Sequence, residues 1–241
     1  MDVRHYLTLD STNDEARRLA GGGEAGPLWV VADSQTGGRG RRGRSWVSKP
    51  GNLFTTLLIQ APTPNEACSQ LSFVAALAVS DTVASLAPSA RVTLKWPNDI
   101  LLEGRKVAGI LLESSGREGL CKGWVAVGMG INLAHFPIDA AFPAIAVASV
   151  TGAAPDRDAV LAGLDQSWQY WFAIWRESGF EPLRQAWLAR VAGLGDPIVA
   201  RLGNRDLEGV FQDLDGDGAL ILRQAGGALV RVTAGDVFFR S

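Results

Sequence analysis

Gly38-Arg-Gly-Arg-Arg-Gly-Arg-Ser-Trp46 is the stretch on which the fold turns. Letter for letter it contains the dinucleotide fingerprint G-x-G-x-x-G, and it follows an apolar, β-rich run from Leu28 to Ala32. A dinucleotide site needs a helix opening at that fingerprint, so that the pyrophosphate rests on the helix N-terminus. Trp46 to Asn52, which contains Pro50-Gly51, cannot open one. The stretch is therefore a loop, and a doubly wound nucleotide-binding fold is set aside. No lysine is followed by Ser or Thr, so there is no Walker lysine. What remains is Arg39, Arg41, Arg42 and Arg44 interleaved with glycines beside Trp46. Glycine permits close backbone approach, and guanidinium offers a permanently charged planar fork to phosphate or carboxylate. The loop reads as a flexible cationic lid for an anion.

The rest of the chain makes that charge local. Its 241 residues carry 23 Lys+Arg against 25 Asp+Glu, a net charge of −2, whereas a dedicated nucleic-acid binder is usually basic overall. Cys68 and Cys121 are too few for a disulfide framework or a zinc site, and read as structural thiols of a reducing compartment. Ala67 to Ala87 is the most apolar stretch, but Ser69, Gln70, Ser72, Ser80, Asp81, Thr82 and Ser85 interrupt it. No membrane span or signal peptide is expected, and the cytoplasm is the default. Asp213-x-Asp215-x-Asp217-Gly218 resembles half a calcium loop, but Gln224 stands where the bidentate glutamate belongs, so it reads as a turn. His5 and His135 show no metal-ligand spacing, and no metal-binding residue is assigned.

Strands are predicted at Tyr6 to Leu9, Leu28 to Ala32, Asn52 to Gln60, Val92 to Trp96, Ile100 to Leu102, Val107 to Glu113 and Trp124 to Val127. Two capping boxes, Thr12-Asn-Asp-Glu15 and Thr63-Pro-Asn-Glu66, start helices, the second running to about Leu86 before Pro88. Beyond a Pro- and Ala-rich connection, Leu161, Leu164, Trp168, Trp171, Phe172 and Trp175 recur at helical spacing and read as core. Leu183, Trp187 and Val191 mark a further helix. After Gly193, five short β-runs separated by turn residues read as a small barrel. The fold class is α+β, a mixed sheet covered by helices, with residues 1–192 as a first domain and 193–241 as a second.

Four polar segments interrupt apolar runs where strands should end: Ser11-Thr-Asn13, Gln35 to Trp46, Lys95-Trp-Pro-Asn-Asp99 and Gly128-Met-Gly-Ile-Asn132. Side chains on such rigid platforms can converge on one pocket. Arg105-Lys-Val-Ala-Gly-Ile-Leu-Leu112 begins charged and becomes buried, rooting Lys106 at the edge of an apolar floor. Gly109 in that strand signals either tight packing or a ligand lying across it.

In this order and spacing, Gly38 to Arg44, Lys95 to Asp99, Arg105 to Leu111 and Gly130-Ile-Asn132 resemble the signature set of the biotin protein ligases. The resemblance covers the whole chain, the family having a small SH3-like C-terminal barrel. It implies an enzyme that joins biotin to ATP as biotinyl-5′-AMP, then passes biotin to a lysine of a carboxylase's biotin carboxyl carrier domain. It implies that Ser11, Thr12, Asn13 and Gln35 hold the ureido end of biotin, and that Gly38, Arg39, Gly40 and Arg41 close over it. Trp46 would pack near the alkyl chain and nucleotide, with Gly109 and Gly128 lining the pocket. Asn98 and Asn132 would contact the nucleotide. Lys106 would stand between the biotin carboxylate and the α-phosphate.

The chemistry asks for such residues independently, because a carboxylate approaching a phosphate needs a placed cation. Lys106 supplies a point charge, and Arg39, Arg41 and Arg44 can grip several oxygens. Magnesium is expected with the triphosphate; Asp99 either helps to hold it or caps a turn. The catalytic pattern starts within a dozen residues of Met1, so no DNA-binding domain and no DNA partner are expected. A homodimer, or β-pairing with the carrier, would use exposed strand edges. A lipoate ligase or octanoyl transferase shares the resemblance's fold, and an RNA-binding module is the rival from another class.

Overall fold

The computed structural model describes residues 1–61, 68–115, 123–138, 142–203 and 205–239. Cys121 and the capping box at Thr63 to Glu66 lie outside these residues. Strand β1 (Val3–Leu9) leads into helix α1 (Thr12–Gly21), followed by β2 (Leu28–Gln35) and, after the arginine loop, β3 (Leu53–Gln60). Helix α2 (Leu71–Leu86) precedes β4 (Val92–Lys95), β5 (Asp99–Leu102), β6 (Arg105–Ser114) and β7 (Trp124–Ile131). Then come α3 (Ala148–Thr151), α4 (Arg157–Ser178) and α5 (Glu181–Leu188). A final run comprises β8 (Pro197–Leu202), β9 (Arg205–Leu214), β10 (Leu220–Arg223), β11 (Leu229–Val232) and β12 (Asp236–Phe239).

The first seven strands form one mixed sheet in the order β1-β2-β3-β7-β6-β5-β4, in which β1–β2 is parallel and the other pairs are antiparallel. Because side chains alternate along a strand, parity assigns each residue to a face. Val31, Leu53, Leu57, Val125, Val127 and Met129 join the large core under α2, α4 and α5. Val30, Leu58 and Ala126 join Ala16 of α1 on the other face. Cys68–Leu86 does have the length and composition of a membrane span, contrary to the sequence expectation, but α2 packs against α4 and the sheet. The tryptophan stripe of α4 is core, with Trp171 Nε1 donating to Asp81 at 2.7 Å and Trp175 Nε1 to Gln70 at 2.8 Å.

The last five strands form an antiparallel sheet, β11-β10-β9-β8-β12, the small β unit expected. It docks beside β4: Trp96 Nε1 donates to Gly218 O at 3.1 Å, and Ala192 N donates to Leu94 O at 2.8 Å. The Asp213 to Gly218 segment is a turn, with Asp215 accepting backbone N–H groups of Asp217 and Ala219 at 2.9 Å.

Three further expectations change. Strand β1 starts at Val3, three residues early, because an edge strand with mostly exposed side chains lacks apolar alternation. The Thr12 capping box does not form: Ser11 is the N-cap, without a side-chain cap bond, and Thr12 and Glu15 are engaged elsewhere. Cys68 is disulfide-bonded rather than a thiol.

Candidate active site

Sheet register builds the site. Thr56, Gly128 and Leu111 are partners across β3, β7 and β6. Two residues further along, Phe54, Gly130, Gly109, Asp99 and Lys95 are partners across β3, β7, β6, β5 and β4. The two rungs are about 6.6 Å apart at strand rise. A cavity of about 350 Å³ lies over them, within the range of small-molecule sites.

The first rung carries a hydrogen-bonding wall. A Cβ on Gly128 would stand 2.3 Å from Asn13 Oδ1, so that glycine makes room for Asn13. Asn13 Nδ2 donates to Leu111 O at 3.2 Å and to Glu113 at 3.0 Å, while its Oδ1 accepts from Thr56 at 2.6 Å. Gln35 Oε1 accepts from Thr12 N at 2.8 Å, and Gln35 Nε2 donates to Ser48 at 2.9 Å. Asn13 therefore has both donors committed to protein, whereas Ser11, a buried residue that lines the cavity, has no side-chain partner for its hydroxyl among the described residues.

The second rung carries a floor and two ammonium groups. The Trp46 indole lies over the glycine pair: a Cβ on Gly130 would stand 2.7 Å from its ring, and one on Gly109 3.1 Å. Gly109 is thus closely packed under a side chain and still lines the cavity. Trp46 Nε1 is buried without a hydrogen-bond partner among the described residues, which costs about 1–3 kcal/mol until an acceptor arrives. A bulge between Ile100 and Leu101 re-aims Lys106, whose Nζ lies 2.5 Å from Asp99 Oδ1 and 5.3 Å from the Trp46 ring centroid. Lys95 Nζ lies 3.6 Å from Asp99 Oδ2, and burial lowers its pKa. Asp99 sits in β5 with both carboxylate oxygens facing lysines, so it caps no turn.

The arginine loop folds as a hairpin, with Gly40 N donating to Arg44 O at 2.7 Å and Trp46 N to Gly38 O at 2.9 Å. Its arginines divide into root and tip. Arg39 at the root is bonded to Asp14 and, at 3.1 Å, to Glu113, so it is not free to grip ligand oxygens as expected. At the tip, Arg44 and Arg42 lie 2.8 and 3.6 Å from the Asp236 carboxylate of β12. Arg41 donates to Gly235 O at 3.2 Å and to Asn98 Oδ1 at 3.4 Å, and its burial lowers its pKa.

Ser11, Thr12, Asn13, Gln35, Arg39, Gly40, Arg41, Arg44, Trp46, Asn98, Lys106, Gly109, Gly128 and Asn132 all line the one cavity. Asn132 spends its Nδ2 on Ile145 O at 3.2 Å. Gly38 does not line it; a Cβ there would stand 2.5 Å from Ser48 Oγ and 2.7 Å from Trp46 O, so Gly38 packs the loop behind the wall. Sequence reasoning missed Lys95, Glu113, Gly130 and Asp236. Gly130 and Lys95 lay inside quoted motifs, whereas nothing local marks Asp236, 192 residues from Arg44.

Comparison with known proteins places this site. Residues 8–132 match the biotin/lipoate A/B protein ligase family, and residues 193–240 match the biotin protein ligase C-terminal domain. The biotin--[acetyl-CoA-carboxylase] ligase of Paracoccus denitrificans is 48% identical, over 95% of this chain and 97% of that protein. The Mycobacterium tuberculosis enzyme of the same name is 34% identical, over 94% and 85%. The biotin protein ligase of Aquifex aeolicus, solved in complex with biotin and ATP, superposes with a TM-score of 0.84 at 28% identity, covering 99% of this chain and 98% of that one. The chain belongs to the biotin/lipoate A/B protein ligase family, and within it to the biotin protein ligases.

Proposed function

We propose that this protein activates biotin with ATP and transfers it to a lysine of a carboxylase's biotin carrier domain. The observation that carries the reading is one cavity with a neutral hydrogen-bonding wall, an indole floor and a cationic rung, roofed by the arginine loop. Biotin has the matching order of parts: a ureido ring, an alkyl chain and a carboxylate.

In the first step a biotin carboxylate oxygen attacks the α-phosphorus of ATP and pyrophosphate leaves. Lys106 neutralises the two approaching anions, and Arg41 with Arg44 meets phosphate oxygens as Asp236 gives them up. In the second step the carrier lysine's amine attacks the acyl carbon, AMP leaves, and the amine loses a proton. Ser11, Thr12, Asn13 and Gln35 form the wall that takes the ureido group, and Asn98 and Asn132 border the nucleotide. The closed loop keeps water from the mixed anhydride. Magnesium would accompany the triphosphate and help neutralise it; Asp99 and Asp236 are engaged by lysines and arginines and are not assigned to hold it.

The rivals are weaker on the geometry. An octanoyl transferase needs a nucleophilic cysteine, and no described residue lining the cavity is one. An RNA-binding patch needs arginines without carboxylate partners, whereas the tip and root arginines are paired to Asp236, Asp14 and Glu113. We keep the division into domains 1–192 and 193–241, supported by the separate second sheet, and a cytoplasmic setting, where ATP is at hand. Arg190 and Ala192 cover the outer edge of β4, so strand pairing on the large sheet would fall on β1. The test is mass spectrometry of a carrier domain incubated with the protein, biotin and Mg-ATP. One biotinylated lysine is expected; modification by lipoate instead, or none, contradicts the reading.

A further inference from the structure

Lys95 is the buried cation that the adenylation chemistry leaves unused. Its side chain is 6% exposed, and its Nζ faces the Phe142 ring at 4.5 Å, the Phe238 ring at 5.9 Å and Asp99 Oδ2 at 3.6 Å. Lys106 holds the other oxygen of the same carboxylate at 2.5 Å. One carboxylate therefore serves two ammonium groups, each on its own oxygen.

This arrangement sets a condition on the reaction. Lys106 lines the cavity while paired to Asp99, whose side chain is 13% exposed, so turning its ammonium group fully to a ligand anion weakens that pair. A carboxylate abandoned in such a place loses its compensation, and the lysine is held back accordingly. We propose that Lys95 is a positioning residue that takes over Asp99 when Lys106 turns to the ligand. Lys95 and Asp99 are cross-strand partners on β4 and β5, so the contact closes from 3.6 Å by side-chain rotation alone. A charge-assisted hydrogen bond of about 2.8 Å is the natural end point. Burial lowers the Lys95 pKa and the Asp99 charge opposes that, so Lys95 gains most from a carboxylate it does not share. Lys95, Lys106 and Asp99 together carry +1, which matches the single charge of a carboxylate or of an acyl-AMP phosphodiester. The remaining triphosphate charge falls to the arginine loop.

The inference rests on the biotin-ligase reading, and biotin-dependent exchange of pyrophosphate into ATP tests both separately. The proteins are wild type, Lys95→Met, Asp99→Asn and the double variant, each checked by thermal melting. Lys95→Met is expected to lower kcat by roughly tenfold or more with little change in KM for biotin, because Lys106 stays on Asp99. Asp99→Asn, which frees Lys106, is expected to stay well above Lys95→Met, and the double variant to return to within about threefold of Asp99→Asn. A double variant no faster than Lys95→Met overturns the proposal, since Lys95 then acts on the ligand directly. Should Lys95→Met melt far below the wild type, Lys95→Gln in the same pair of backgrounds decides by the same rescue. A wild type without biotin-dependent exchange removes the underlying reading instead.

Discussion

At Lys106 a bulge turns the charged start of a strand into a pocket cation, and the Lys106 ammonium group is the one assigned to the reacting anions. Lys106→Ala is expected to lower biotinyl-AMP formation by about 100-fold or more while the melting temperature stays near that of the wild type. Exchange at the wild-type rate would remove Lys106 from the chemistry. Gly130→Ala is a sharper probe of the floor, because the added methyl would stand 2.7 Å from the Trp46 indole. It is expected to raise KM for biotin about tenfold or more, as the ring is pushed into the cavity; an unchanged KM would mean that the indole is not the floor. At this scale the sequence was legible in placement, since Lys106, Gln35, Asn98, Asn13 and Arg39 all line the cavity. It did not show how far neighbours occupy those groups, as Glu113, Asp14 and Leu111 do at Asn13 and Arg39. Donor saturation is a property of neighbours, not of residue type.

The arginine loop is the element that roofs the cavity. Glycines make it costly to order, and Asp236 supplies an internal counter-ion at the tip before any phosphate arrives. Asp236→Asn is expected to speed tryptic cleavage after Arg41, Arg42 and Arg44 several-fold in the absence of ligand, with protection restored by biotin and ATP. Equal cleavage rates would show that Asp236 does not hold the loop. Arg41→Gly is expected to retain adenylate synthesis but release biotinyl-AMP, seen as increased labelling of bystander proteins; no increase would exclude a retention role. The helical and strand cores were legible from periodicity. The first cap was not, because Thr12 and Glu15 fit a capping box by letter but are drawn to Gln35 and Tyr6 by the tertiary site.

For the whole molecule, the pocket lies where the β12 end of the small sheet meets the large one, so residues of both line it. Such a junction is invisible to any local window, which explains why Asp236 and Phe238 escaped notice while both sheets were anticipated. Acid should loosen the loop's root. Hydrogen bonding from Arg39 lowers the Asp14 pKa, and bonding from Arg18 lowers that of Asp10. A carboxylate with a depressed folded pKa stabilises the fold above its unfolded value and loses that contribution as pH falls through the folded one. Denaturant midpoints are therefore expected to fall as pH drops below about 4, the ordinary carboxylate range, and less steeply in Arg39→Met. The central claim is that this cavity forms a mixed anhydride of biotin and AMP under the arginine loop. Its most direct measurement is exchange of labelled pyrophosphate into ATP by the purified protein with biotin or lipoate as the acid. Exchange with biotin and none with lipoate is the expected result; exchange with lipoate alone, or with neither, would contradict it.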